Sequence, residues 1–289
     1  MKFTKMHGAG NNYIYVNGFE ETVADRPEMS RRVSDIRFGI GSDGLIVIDP
    51  SDVADCKMDI YNADGSQAMM CGNGIRCVAK FAYDNGIAQK EEISVETLSG
   101  VKTIRVKVSG GKVYEATVNM GEPILKPSDI PAKAPEVVPE GWSDELALGF
   151  PLTVDGKEWR ATLVSMGNPH CVVYMDELYN ALDIEKTGPL FENNAIFPNR
   201  VNTEFISVID DKTLQMRVWE RGSGETYACG TGACAAVVSS ILNGYCKQDE
   251  DITVHLRGGD LTIRWSSADN CVYMTGEAVT ICSGEYFER

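Results

Sequence analysis

The sequence predicts an α+β fold of two pseudo-symmetric domains, each a β-rich, barrel-like sheet wrapped around a central α-helix. Three observations carry this: a long internal repeat, a predominance of strand patterns, and one small-residue helix after a Cys-Gly-x-Gly turn in each half. The chain has 289 residues, 43% hydrophobic and 24% charged, which suits two ordinary domains of about 100 to 150 residues each.

The repeat comes first. GAGNNYIYV (8–16) parallels SMGNPHCVV (165–173), and MMCGNGIRCVA (69–79) parallels TYACGTGACAA (226–236). VETLSGVKTIRV (95–106) parallels VHLRGGDLTIRW (254–265), and NMGEP (119–123) parallels MTGEA (274–278). The four matches run in one order at a nearly constant offset of roughly 155 residues, too long for a solenoid repeat. Two similar domains are implied. The strands come next: 46–49, 56–62, 93–97 and 103–108 in the first half, and 159–166, 171–175, 201–210 and 213–220 in the second. Their alternation and β-branched content fit sheets with one buried face. Helices are expected at about 73–85 and 231–243, each ending in Asn-Gly, a good C-terminal stop. The second is apolar almost all round, so it should be buried. KPSDIPAKAPEVVPEG (126–141) has four prolines and reads as an extended loop.

Composition narrows the function. The formal charge is −15 with no basic stripe, which argues against a nucleic-acid partner. MKFTKMHGAG lacks the apolar core of a secretory signal, and no stretch approaches 18 apolar residues, so neither export nor a membrane span is expected. Nine cysteines without a secretion signal read as reduced thiols in the cytoplasm.

A cysteine at a helix start faces backbone N–H groups and the positive end of the helix dipole, which should favour its thiolate. The same N–H groups can cradle a carboxylate, and glycines let a ligand approach closely. One turn makes a reactive cysteine with an anion site. Two turns facing one carbon, Cys71 and Cys229, suit racemisation or epimerisation: a thiolate removes the α-proton and a thiol delivers one to the other face. Thiol–disulfide switching by the same pair is the rival. The other seven cysteines read as small core hydrophobes. Residues 230–235 match G-x-G-x-x-A, but the polar ERGSGETYAC before them is no buried strand, so a dinucleotide site is not expected. The cysteine spacings and three histidines do not suggest zinc.

On the motifs KMHGAGN (5–11), YNADGS (61–66), MCGNGIRC (70–77), NMGEP (119–123), SMGNPHCV (165–172), RVN (200–202), ERGSGET (220–226) and ACGTGACA (228–235), the chain resembles the diaminopimelate epimerase family over nearly its whole length. Proline racemases are less similar, with Gly-His after the first cysteine where this chain has Gly72-Asn73. The resemblance implies epimerisation of LL- to meso-diaminopimelate in lysine and peptidoglycan precursor synthesis, without pyridoxal phosphate, other cofactor or metal. It implies Cys71 and Cys229 as acid/base groups, with His170 and Glu220 tuning them. It places the reacting carboxylate at Gly72, Asn73, Gly230 and Thr231. Substrate recognition falls to Asn11, Asn62, Asn168, Asn202, Glu220 and Arg221. Taken alone, the asparagines are ordinary turn formers, His170 a structural hydrogen bonder, and Glu220-Arg221 a solvated pair. A bidentate Arg221 and amides that both donate and accept suit the zwitterionic distal end of a diamino diacid.

The resemblance further implies a homodimer acting on a small molecule, closure around the substrate, and domains at 1–118 plus 275–289 and at 119–274 with the site between them. Two departures stand out. The family usually has Asp at the place of Asn12, and some relatives have a substrate-reaching Gln at the place of Gly44, which is therefore left out of the site.

Overall fold

The computed structural model describes residues 1–177 and 182–287. The chain divides into two compact units, Met1–Asn119 with Thr275–Arg289, and Met120–Met274.

In the first unit β1 (Lys2–Gly8) lies antiparallel to β2 (Asn11–Asn17). After α1 (Arg26–Ser34), β3 (Gly44–Asp49) joins β2 in parallel and β4 (Cys56–Asn62) returns antiparallel to β3. The next parallel step, from β4 to β5 (Glu92–Thr97), requires a crossover, and α2 (Gly72–Asp84) supplies it. β6 (Gly100–Ser109) and β7 (Lys112–Gly121) then continue as antiparallel hairpins.

The second unit repeats that order. β8 (Phe150–Val154) and β9 (Lys157–Ser165) form a hairpin, and β10 (Pro169–Tyr174) lies antiparallel to β9. After α3 (Ile184–Glu192), β11 (Asn202–Asp210) pairs with β10 in parallel and β12 (Thr213–Glu220) with β11 antiparallel. The short β13 (Gly224–Thr226) borders β12. α4 (Gly230–Leu242) is the crossover to β14 (Ile252–Leu256), parallel to β12, and β15 (Gly259–Trp265) closes a hairpin with β14. β16 (Val272–Glu277) leads the chain out, and β17 (Val279–Glu285) pairs antiparallel with β1. The sequence of antiparallel, parallel, antiparallel, parallel, antiparallel steps is thus the same from β1 to β6 and from β9 to β15.

Each crossover helix is enclosed by the strands of its own unit. α2 packs on β1, β2, β4, β5 and β6, and α4 on β9, β10, β11, β12, β14 and β15. Residues 72–82 of α2 are all buried. So are Ala233, Ala235, Ala236, Val237 and Val238 of α4, where small side chains let strands approach from every side. Both helices stop at Asn-Gly. Asn85 Nδ2 donates to Phe81 O at 2.9 Å and Asn243 Nδ2 to Ser239 O at 2.8 Å. Gly86 and Gly244 then take φ of 76° and 78°, a region that disfavours other residues.

Sequence bounds for α2 and α4 are shifted by one residue from those observed. α1 and α3 were not expected. Asp25 and Asp183 cap them by accepting from Glu28 N and Lys186 N. The proline-rich 126–141 stretch holds only a short 3₁₀ turn, Pro127–Asp129. In the second unit Trp159, Phe191 and Phe205 meet edge to face, with centroids 5.4 and 5.5 Å apart along the chain of contacts. In the first, Ile14, Val16, Leu45 and Val47 pack with Met29 and Val33 of α1.

None of the nine cysteines is in a disulfide. Cys56, Cys77, Cys171, Cys234 and Cys246 are buried, as core residues should be, but Cys271 is only partly covered and Cys282 is exposed. Burial pushes the Cys56 thiol up to about 12 and the Cys77 thiol to about 11, from an ordinary 9.0. The folded chain holds these protons more tightly than the unfolded chain does, so their contribution is full below the unfolded value and is lost as pH climbs through the raised ones. We expect the urea midpoint to stay level up to about pH 8 and to fall by about pH 11. A Cys77→Ala variant should show a shallower fall over the same range. A midpoint independent of pH there contradicts this reading of the core.

Candidate functional site

Each Cys-Gly-x-Gly turn places its cysteine at the N-cap of a buried helix. Cys71 is extended (φ −135°, ψ 118°) and its Sγ accepts from Gly74 N at 3.4 Å. Cys229 is extended too (φ −115°, ψ 110°) and accepts from Gly232 N at 3.4 Å. The first intrahelical bonds start later, from Ile75 N to Cys71 O and from Ala233 N to Cys229 O. Gly72, Asn73, Gly230 and Thr231 therefore sit in the first turn, where N–H groups point away from the helix toward a possible anion.

Around Cys71 the contacts come from β2 and the loop before β3. The thiol donates to Asn11 Oδ1 at 3.3 Å. Asn11 Nδ2 donates to Asp43 Oδ2 at 2.8 Å, and Asn12 N donates to the same oxygen at 2.8 Å. Asp43 thus fixes which end of the Asn11 amide faces the sulfur. It was not among the expected site residues, and it lies 32 positions from Asn11 in the chain. Tyr13 is buried, and burial, then the Cys71 and Asp43 charges, push its phenol well up. Asn73 is buried with its Oδ1 accepting from Arg76 at 3.0 Å. Asn62 is held in its own turn by donating to Ser66 Oγ at 3.0 Å. At Asn12, where Asp is usual in the family resembled, the amide Nδ2 points to Asp43 Oδ2 at 3.4 Å. A second carboxylate there would oppose the first.

Around Cys229 the charges come from β11 and β12, and β10 supplies a partner to the first of these. Thr231 Oγ1 lies 3.4 Å from the sulfur. His170 is fully buried between two partners: Nδ1 is 2.7 Å from Glu204 Oε1, and Nε2 is 3.0 Å from Asn168 Oδ1. Asn202 Oδ1 accepts from Arg221 N at 2.9 Å, and Arg221 donates from its side chain to Asn199 O. Glu220 Oε1 accepts from Thr226 Oγ1 at 2.5 Å. Glu204 was missed as well. Its only sequence signal is a carboxylate inside the β-rich run VNTEFISVID.

One expectation needs correction. The helix start was expected to lower the cysteine thiols, yet the Cys229 thiol is raised well above its ordinary value. Burial is the largest cause, followed by the charges of Glu220 and Glu204; the Thr231 and Gly232 hydrogen bonds act the other way and are outweighed. His170 and Glu220 also differ in how they reach the sulfur. Glu220 acts by its charge, whereas His170 connects through Glu204. Among the described residues no group of three or more His, Cys, Asp or Glu side chains is spaced to hold a metal ion.

The family model described as diaminopimelate epimerase matches residues 3–126 and 162–281. The chain is 54% identical over 286 residues to the diaminopimelate epimerase of Agathobacter rectalis, covering 99% of both chains. It is 53% identical to that of Acetivibrio thermocellus, covering 99% of this chain and 98% of the relative. Among solved structures it is similar to a probable proline racemase from Agrobacterium radiobacter, with TM-score 0.70, 13% identity, and 99% and 92% of the two chains covered. It is also similar to a phenazine biosynthesis protein of the PhzF family from Bacillus anthracis, with TM-score 0.69, 16% identity, and 100% and 99% covered. At such low identity these two speak for the fold alone.

The two turns differ in what lies under their third glycine position. A Cβ at Gly232 would lie 2.6 Å from Glu204 Oε1, whereas one at Gly74 would meet the flexible ends of Ile46 and Met58 at 3.0 and 3.1 Å. Gly232→Ala should therefore cost about 1–3 kcal/mol in urea denaturation, and Gly74→Ala less. Equal costs, or the reverse order, contradict this packing.

Proposed function

The chain belongs to the diaminopimelate epimerase family, and from that premise we propose that Cys71 and Cys229 are the two acid/base groups with which it interconverts LL- and meso-diaminopimelate. The doubled turn supports this most: each cysteine caps a buried helix through one glycine N–H, in a topology built twice.

Starting with one thiolate and one thiol, the pair needs no outside proton. The thiolate removes the α-hydrogen from one face, and the thiol gives its proton to the other. The sulfurs have then exchanged roles. The α-carbon is weakly acidic, so charge developing on the adjacent carboxylate must be stabilised. The first-turn groups of Gly72, Asn73, Gly230 and Thr231 would do so as fixed dipoles, already oriented before reaction. Asn11, held by Asp43, would orient the first thiol.

The non-reacting end of the substrate is itself a zwitterion. Arg221, with its backbone tied to Asn202, would pair with the distal carboxylate through two parallel N–H donors. Asn62, Asn168, Asn202 and Glu220 would accept from the distal ammonium or donate to the carboxylate. His170 and Glu220 would tune Cys229, and no cofactor enters the scheme. We further propose that the active form is a homodimer in the cytoplasm and that the site is shared by the two units. No helix among the described residues is long and apolar enough to cross a membrane.

Purified reduced Cys71→Ala and Cys229→Ala variants should each lose epimerisation of LL-diaminopimelate by at least about 1,000-fold, read by chiral chromatography. A variant that retains normal turnover sinks the two-base assignment. Arg221→Lys should raise KM about 10-fold or more, because one point charge replaces a bidentate fork. An unchanged KM removes Arg221 from the distal site.

A further inference from the structure

The internal repeat equates positions in the two units. The Gly-Asn runs align Ile14 with Cys171. Ile14 pairs with Leu45 on β3, and Cys171 with Thr203 on β11. One residue further along, Ile46 therefore corresponds to Glu204. Packing agrees: Ile46 lies under Gly74 as Glu204 lies under Gly232. Both are fully buried. A carboxylate stands in one unit where its twin has a methyl group.

That carboxylate is close to the chemistry. The point 2.6 Å from Glu204 Oε1 where a Gly232 Cβ would stand is also 3.3 Å from Cys229 Sγ, so oxygen and sulfur flank the same side of the turn. Oε1 is held by His170, whereas Oε2 is buried with no hydrogen-bond partner among the described residues. A buried, half-satisfied carboxylate is costly to keep, so something other than packing should account for it. The titratable and charged groups around it are His170 and Cys171 from β10, Glu220 from β12, and Cys229 at the helix start.

We propose that Glu204 is a positioning residue for the epimerisation, acting from beneath the α4 start to keep the proton on Cys229 in the substrate-free enzyme. The inference rests on the assignment of Cys229 as an acid/base group. The negative charges of Glu220 and Glu204 both oppose a thiolate at that sulfur, and the first unit offers Ile46 and no carboxylate at the equivalent place. The twofold repeat is thereby made unequal, so that the pair starts with its single shared proton on a defined side. During reaction Cys229 gives that proton to the α-carbon while the other sulfur takes one, and the count of protons on the pair is unchanged.

The test is Glu204→Gln, which keeps the shape and an acceptor for His170 but removes the charge. Iodoacetamide labelling of Cys229 is followed against pH by peptide mass spectrometry, on protein shown by circular dichroism to be folded. The inflection, unlike the rate, does not depend on how accessible the sulfur is. It should fall by about one pH unit, or about tenfold more thiolate at a given pH below it. Glu204→Asp, which keeps the charge, should stay near the wild-type inflection. If Gln does not fold there, Glu204→Met is read in the same way. An unshifted inflection in an uncharged, folded variant overturns the proposal and leaves Glu204 a structural partner of His170. Epimerisation by the wild-type protein is assayed alongside. If the wild type is inactive, the functional assignment of Cys229 fails; if it is active and the inflection does not move, the role of Glu204 fails alone.

Discussion

A sulfur atom accepting a hydrogen bond from the third residue of a buried helix is the contact on which the rest of the structure depends. It occurs at Cys71 with Gly74 and at Cys229 with Gly232, at the same distance of 3.4 Å. It fixes the cysteine to the helix start, leaving the first-turn N–H groups beside it. A side chain at the third position of the second turn would press on Glu204 Oε1 and on Cys229, and one at the same position of the first turn would crowd Ile46 and Met58. Each capped helix is also the crossover that lets β4 and β5, and β12 and β14, run in parallel.

Two copies of that contact are not two copies of one environment. Under the first turn lie Ile46 and Met58. Under the second lie Glu204, His170 and the charge of Glu220. An apolar floor under one turn and a carboxylate under the other give similar sulfurs unequal surroundings. An epimerase needs both faces of one carbon served at once, by one proton donor and one proton acceptor. Unequal floors beneath equal turns are a physical way to have both in the resting enzyme.

Much of this was legible in the sequence because it was local. Cys-Gly-x-Gly at one end and Asn-Gly at the other bracketed α2 and α4 to within a residue, and the strands β4 and β12 were read with their observed bounds. α3 was hidden by Pro189 in its interior, which argues against a helix, and α1 by its short, polar sequence. What could not be read was non-local. Asp43 orients Asn11 across 32 positions, and Glu204 meets His170 across 34. The raised Cys229 thiol could not be foreseen either, because local rules supply only the helix start. The opposing charges arrive from β11 and β12, and only register shows that they do.

The central claim is that two different sulfurs serve the two faces of one α-carbon. The most direct measurement is the position of deuterium early in the reaction of LL-diaminopimelate in D2O, stopped after a few per cent conversion. With two bases, the meso product carries deuterium at the inverted carbon while recovered LL substrate stays unlabelled. Deuterium entering recovered LL substrate as fast as it enters product means that a single base removes and returns the proton, and contradicts the two-cysteine account.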